Sequence, residues 1–148
     1  MDGRTSDDGE GSDESEASGS VPMPSRAASG KIKLKRAYDP PDRGDGTRIL
    51  VDRLWPRGIK KADAAIDRWL RDVAPSAELR RWFGHRPERW AELRLRYLAE
   101  LQEQPELVEQ IRKAARDGPV TLVYAARDEA HNDAVVLKEL LNRTLAQD

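Results

Sequence analysis

The sequence contains no cysteine among its 148 residues. This absence excludes a disulfide framework, a thiolate nucleophile, and any zinc or iron–sulfur site held by cysteine. No apolar run reaches the roughly 18–20 residues that a membrane-spanning helix requires, so no membrane partner is predicted. Aromatic residues are only 5% of the chain, and Trp69, Trp82 and Trp90 fall at helical spacing, which favours core positions over a base-stacking surface.

Serine and histidine are also scarce in the part of the chain where chemistry is expected. From residue 31 onward there is one serine, Ser76, which lies outside any Gly-x-Ser-x-Gly motif, so a Ser-His-Asp hydrolase is not favoured. The two histidines, His85 and His131, stand in no metal-binding motif such as His-Glu-x-x-His, and no metal site is predicted. The sequence also lacks a P-loop and a Gly-x-Gly-x-x-Gly motif, and no cofactor is predicted.

The charged residues are divided unevenly along the chain. Residues 1–30 hold seven acidic and two basic residues with seven serines and five glycines, whereas the whole chain has 27 acidic and 26 basic residues. A segment of this composition buries too little apolar surface to offset an ordering cost of about 1–2 kcal/mol per residue. We therefore predict a disordered acidic tail over 1–30 and one domain over 31–148. The tail is either a solvating extension or an arm that contacts a basic surface.

Three segments of the domain have the pattern of β-strands. Polar and apolar residues alternate over 31–38, which is typical of a half-buried strand. The segment 47–54 contains a short β-branched run, and 119–126 is the most apolar stretch of the domain. A strand that is apolar on both faces is expected in the middle of a parallel sheet covered by helices.

The segments between these strands carry apolar residues at helical spacing. The predicted helices are 62–73, a short one capped by Ser76 and ended by Gly84, one from Pro87, one from Pro105 to Gly118, and a last one capped by Asp128. The order of elements predicts a small layered α/β domain, with a mostly parallel sheet of about three strands flanked by helices.

Unusual polar and charged residues follow two of the predicted strands. The first group is Arg48, Asp52, Arg53, Trp55 and Arg57, and the second is Tyr124, Arg127, Asp128, His131 and Asn132. In open α/β sheets, ligands bind outside the carboxyl ends of the strands. If the two strands are neighbours, both groups lie on one rim of the sheet, and we expect a site there.

The residue types on this rim favour an anionic ligand. Arg53, Arg57 and Arg127 offer forked donors, and a helix N-terminus adds unpaired N–H groups. Asp52 is the candidate catalytic base or orienting carboxylate, and Tyr124 and Asn132 are candidate hydrogen-bonding groups. The competing interpretation is that Asp52 forms only an ion pair with a neighbouring arginine and that Trp55 belongs to the core.

Three blocks of the sequence resemble the bacterial YeaO-like proteins of domain-of-unknown-function family 488. The blocks are 35–39 (KRAYD), 48–58 (RILVDRLWPRG) and 122–128 (LVYAARD) with Asn132, and the resemblance covers 31–146. It implies a cytoplasmic α/β domain without an established biochemical activity.

Longer members of that family carry cysteine and histidine where this chain does not. Asp52 matches the aspartate of their Val-Asp-x-Arg block. Tyr124 stands where their Cys-Ala-Glu block has its cysteine, and Asn132, Asp133 and Ala134 stand where they have Cys-His-Arg. The resemblance therefore carries over the position of the rim and Asp52, but no thiol or histidine chemistry.

Two functions of different class remain. The first is an enzyme or ligand-binding domain for an anionic small molecule, phosphorylated ones included, at the rim. The second is a nucleic-acid or protein-binding accessory module that uses the basic region 31–80, which holds 13 basic and eight acidic residues. The lysines of the first strand also fit a solvated sheet edge. The sequence decides neither whether the domain is an enzyme nor its oligomeric state.

Overall fold

A four-stranded parallel sheet organises the protein in a computed structural model that describes residues 32–147. The strands are β1 (Ile32–Arg36), β2 (Thr47–Leu50), β3 (Arg68–Trp69) and β4 (Val120–Tyr124). They lie in the order β1-β4-β2-β3, and every neighbouring pair is parallel. The predicted α/β class is confirmed, with one strand more than expected. The predicted tail over 1–30 lies outside the described residues.

The last strand in sequence, β4, occupies the middle of the sheet. Leu122 pairs with Leu34 of β1 on one side and with Ile49 of β2 on the other. All five residues of β4 are buried, as its apolar sequence predicts. Because β2 and β4 are parallel neighbours, their carboxyl ends meet, so the segments that follow these two strands share a rim.

Five α-helices surround the sheet in residues 32–147. They are α1 (Lys61–Ala64), α2 (Ala77–Phe83), α3 (Trp90–Gln102), α4 (Pro105–Asp117) and α5 (Asp133–Gln147). Helix α2 begins and ends as predicted. The Ser76 hydroxyl accepts a hydrogen bond from the N–H of Leu79 at 3.1 Å, and Gly84 adopts the left-handed conformation, with φ of 52°, that ends the helix. In the described residues no helix is long and apolar enough to cross a membrane.

The predicted helix over 62–73 is wrong. Helix α1 stops at Ala64 because Ala65 takes a left-handed conformation, with φ of 53°. The chain then runs along β2, where the N–H of Leu70 donates to the carbonyl of Leu50 at 3.0 Å. Trp69 packs on a small second core with Leu50 and Val123, whereas Val73 belongs to the larger core of the domain. The apolar residues of this segment therefore divide between the two cores and do not form a helix stripe.

The predicted cap of the last helix is also wrong. The Asp128 carboxylate accepts from the N–H groups of Ala130 and His131, at 2.9 and 3.0 Å, within a turn before the helix. Helix α5 is capped by Asn132, whose side-chain oxygen accepts from the N–H of Val135 at 3.1 Å. Both residue types are good caps, so the sequence alone did not separate them.

The larger core lies on the face of the sheet covered by α2–α5. It unites β-strand residues with apolar residues of these helices, including Leu93, Tyr97, Ile111 and Leu137. Tyr97 is fully buried, and its hydroxyl donates to the carbonyl of Val73 at 2.6 Å. This core fixes α2 and α5 relative to the sheet, which sets the positions of the side chains that they present to the rim.

A charged cluster lies at the amino end of β2, away from the rim. It includes Arg48, which the sequence analysis grouped with the rim residues. The buried Arg48 guanidinium donates to Asp45 Oδ2 at 2.6 Å and to the carbonyls of Ala64 and Ala65. Burial disfavours the charged form of Asp45, but hydrogen bonds from the Asp42 backbone, Lys35 and Arg48 hold its pKa below the usual value. Arg48 is therefore a structural residue.

Candidate functional site

A cleft of about 540 Å³ opens at the carboxyl ends of β2 and β4. Its walls come from the segment after β2, from α2, from the turn after α2, and from the first residue of α5. This is the edge at which parallel α/β sheets place their ligands. We call it the rim cleft.

The rim cleft contains four of the six residues that the sequence proposed. Asp52, Arg53, Arg57 and Asn132 line it. Tyr124 is buried at the end of β4, beneath the cleft, and burial raises the pKa of its hydroxyl.

Arg127, the sixth of these residues, is exposed in the loop after β4 and is not part of the lining. The arginine that the sequence expected from the second strand end is thus absent from the cleft.

Asp52 joins the ends of the two central strands. Its Oδ2 accepts a hydrogen bond from the N–H of Ala125 at 2.8 Å, one residue beyond β4. Burial raises the pKa of Asp52, while the Ala125 N–H and the Arg80 guanidinium act against that shift. The competing interpretation, an ion pair with an adjacent arginine, is not what the geometry shows.

A second carboxyl group, that of Asp133 at the start of α5, lines the same cleft and interacts electrostatically with Asp52. Burial, together with the negative charge of Asp52, raises the pKa of Asp133 to about 8, although the first N–H groups of α5 oppose the shift. Two carboxyl groups that interact in this way titrate as a pair. The sequence did not propose Asp133, yet it occupies the position where longer relatives have histidine, which was the available signal.

Four arginines line the rim cleft. Arg53 and Arg57 follow β2, whereas Arg80 and Arg81 project from α2. Within the described residues, Arg57, Arg80 and Arg81 form no ion pair. Nothing in the sequence marked the two arginines of α2, because their approach to the rim depends on how that helix packs.

Arg53 is held differently from the other three. Its Nη1 lies 3.9 Å from Asp72 Oδ1, a contact with an exposed carboxylate. Its Nε is buried and has no hydrogen-bond partner among the described residues. An unpaired buried donor costs free energy, and because this atom is closed to solvent, a ligand in the cleft can contact only the other atoms of Arg53.

Aromatic side chains and both histidines complete the lining. Trp55 Nε1 donates to the carbonyl of Ile59 at 2.6 Å, and Tyr38 donates through its hydroxyl to the carbonyl of Arg57 at 3.0 Å. These bonds hold the loop that carries Arg53 and Arg57. His131 Nδ1 lies 3.0 Å from Asp128 Oδ2. In the described part of the chain, no three His, Cys, Asp or Glu side chains are grouped to hold a metal ion.

Fold and site together define a small parallel α/β domain with an arginine-lined cleft at the carboxyl ends of its central strands. The chain belongs to the DUF488 family, since residues 31–148 match the family described as "Inactive DUF488-N3 subclade". The resemblance seen in the sequence blocks is thereby confirmed.

Relatives in bacteria have similar sequences over most of their length. The chain is 46% identical to "Uncharacterized protein YeaO" of Escherichia coli K12 over 110 residues, which are 74% of this chain and 96% of the relative. It is also 46% identical to "Uncharacterized protein Rv3073c" of Mycobacterium tuberculosis H37Rv over 112 residues, 76% of this chain and 94% of the relative. No solved structure matches the chain.

Proposed function

We propose that the protein is a cytoplasmic ligand-binding domain whose rim cleft holds an anionic small molecule, phosphorylated ligands included. The observation that carries this proposal is the convergence of Arg57, Arg80 and Arg81 on one cleft without an ion pair among the described residues. Guanidinium groups bind phosphate and carboxylate through paired hydrogen bonds. The cleft volume of about 540 Å³ lies within the range of small-molecule sites, roughly 300–1,000 Å³.

The residues proposed from the sequence take unequal parts in this function. Arg53 and Arg57 bind the anion together with Arg80 and Arg81. Asn132 lines the cleft and caps α5 by accepting from the N–H of Val135, which fixes the start of that helix at the cleft. Tyr124 and Arg127 stay outside the lining, and we assign them no contact with the ligand.

Binding is favoured over catalysis. The matching subclade is described as inactive. Where longer relatives carry Cys-His-Arg, this chain has Asn132, Asp133 and Ala134, and it holds no thiol anywhere. Asp52, the candidate base, is engaged by the Ala125 N–H, which suits a positioning role. The cytoplasmic location follows the family resemblance.

Thermal unfolding in the presence of inorganic phosphate, sulfate and sugar phosphates tests the proposal. A ligand at 100 times its dissociation constant stabilises by about 2.7 kcal/mol, a clear rise in the melting temperature. Arg57→Gln and Arg80→Gln should each remove this rise. The control is Arg43→Gln. Arg43 is exposed and precedes β2, at the end of that strand away from the cleft. Absence of any stabilising anion, or equal losses in Arg43→Gln, would refute the proposal.

The nucleic-acid alternative receives less support. Lys33 and Lys35 of β1 place their Nζ atoms 3.6 and 3.1 Å from Asp45 Oδ1. Arg36 donates to the carbonyls of Ala125 and Ala126. The basic groups of the first strand are thus engaged within the protein and do not form an open track for phosphates. Filter binding that falls steeply with added salt would favour this alternative again.

A further inference from the structure

The two carboxyl groups of the rim cleft have hydrogen-bonding capacity that the protein itself leaves unused. Asp52 Oδ2 is occupied by the N–H of Ala125, but its Oδ1 has no hydrogen bond to a described residue and is not among the buried unpaired atoms. The Asp133 carboxyl interacts with the N–H groups of Asp133 and Ala134 at the start of its own helix. Both carboxyl groups therefore face the cavity with oxygens that a ligand can reach.

Bare anions do not fit this part of the cleft. A phosphate or carboxylate placed against Asp52 and Asp133 would meet like charge, whereas the arginines after β2 and on α2 attract it. The anionic group belongs with the arginines, so a different chemical group must lie against the carboxyl pair. The volume of about 540 Å³ leaves room for that second group.

The carboxyl groups of Asp52 and Asp133 determine which chemical group of the ligand can bind against them. Their free oxygens accept hydrogen bonds in either protonation state, and a protonated carboxyl group also donates one. A hydroxyl both donates and accepts, so it matches such a pair, while an alkyl group would leave the carboxyl oxygens desolvated and unpaired.

We infer that the ligand is a hydroxylated phosphate of the polyol or sugar class, with hydroxyl groups bound between Asp52 and Asp133 and its phosphate held by the cleft arginines. This inference rests on the proposed function and narrows its ligand class. Asp133 acts here as a binding residue, and Asp52 both binds the ligand and, through Ala125, fixes the two strand ends.

The test is isothermal titration of the full chain with matched phosphates. Glycerol 3-phosphate and n-propyl phosphate share one carbon skeleton and one anionic group, and they differ in two hydroxyls; ribose 5-phosphate extends the series. We expect the hydroxylated compounds to bind at least about tenfold more tightly than n-propyl phosphate. Asp133→Ala should reduce this ratio to near one, and Asp133→Asn, whose amide both donates and accepts, should restore much of it.

The ratio of affinities separates this inference from the proposed function. Any change in the charge of the cleft acts equally on two equally charged phosphates, so it leaves the ratio of their affinities unaffected. Equal binding of glycerol 3-phosphate and n-propyl phosphate, or a preference that survives in Asp133→Ala, overturns the inference alone. If none of these phosphates binds, the proposed function fails with it. Thermal melts of both variants confirm that they are folded.

Discussion

At the residue scale, the site combines positions that sequence reasoning can find with positions that it cannot. Asp52, Arg53 and Arg57 follow a strand, so the rule that ligands bind at strand carboxyl ends is enough to propose them. Arg80 and Arg81 lie on a helix whose limits are readable, but their direction depends on packing against the core. No pattern in the chain itself gives that direction.

Asp133 makes the stability of the protein depend on pH. Its folded-state pKa of about 8 lies above the ordinary value of 3.8, so the folded protein holds a proton that the unfolded chain releases. The stabilisation is complete below about pH 4 and is lost as the pH rises through the folded-state pKa. We expect Asp133→Asn, which keeps a neutral side chain at every pH, to remove this loss.

Urea denaturation at several pH values between about 4 and 9 measures the effect. The free energy of unfolding of the wild type should fall, relative to Asp133→Asn, by more than about 1.4 kcal/mol, the equivalent of one pKa unit. Asp63→Asn, at an exposed position on α1, serves as the control and should follow the wild type. If the free energy of unfolding changed with pH in the same way in the wild type and in Asp133→Asn, the carboxyl pair would not share a proton.

At the element scale, capping signals located both ends of α2 but not the start of α5, and apolar spacing alone was wrong over 62–73. Ser76 and Gly84 mark both ends of α2 correctly, because each acts through its own backbone and near neighbours. The spacing of apolar residues over 62–73 equally fits a helix stripe or a non-helical segment that contributes to both cores of the domain. The left-handed Ala65 decides between them, and alanine carries no sequence signal for that conformation.

The N-cap of α2 should contribute measurably to stability. Ser76 Oγ accepts from the N–H of Leu79 and donates to Glu100 Oε2 at 2.7 Å, linking α2 to α3. We expect Ser76→Ala to lower the free energy of unfolding by about 1–2 kcal/mol. Ser76→Thr, which keeps the hydroxyl, should lose less. The midpoints of urea denaturation measure both changes, provided that the slope of the free energy against urea concentration stays the same. An alanine variant as stable as the wild type would contradict the capping role.

At the scale of the whole molecule, the middle strand comes near the end of the sequence. β1 and β2 do not pair with each other, since β4 separates them in the sheet. The alternation of polar and apolar residues, together with the apolar runs, identified these three strands correctly. Their order could not be read from the chain, because it depends on contacts between segments about 70 residues or more apart, which the register of β2 with β4 establishes.

The domain limits predicted from composition lead to a further test. A chain that begins at residue 31 should unfold cooperatively at the same temperature as the full chain, because the predicted core needs no contact from 1–30. A chain that ends at Gly118 should lose cooperative unfolding, since it lacks the strand that β1 and β2 both pair with. Calorimetry checks both. A large drop in melting temperature without residues 1–30 would show that the tail belongs to the folded domain.

The bond from the Ala125 N–H to Asp52 continues the hydrogen-bond ladder of the sheet one step past the last strand residues, through a side chain. The floor of the cleft is therefore an extension of the sheet and shares its rigidity, whereas the arginines stand on a loop and on a short helix. Under the proposed function, such a division lets the walls diverge toward different anions while Asp52 keeps its place at the end of the sheet. Selectivity can then change by substitution in two segments, without disturbing the register on which the fold depends.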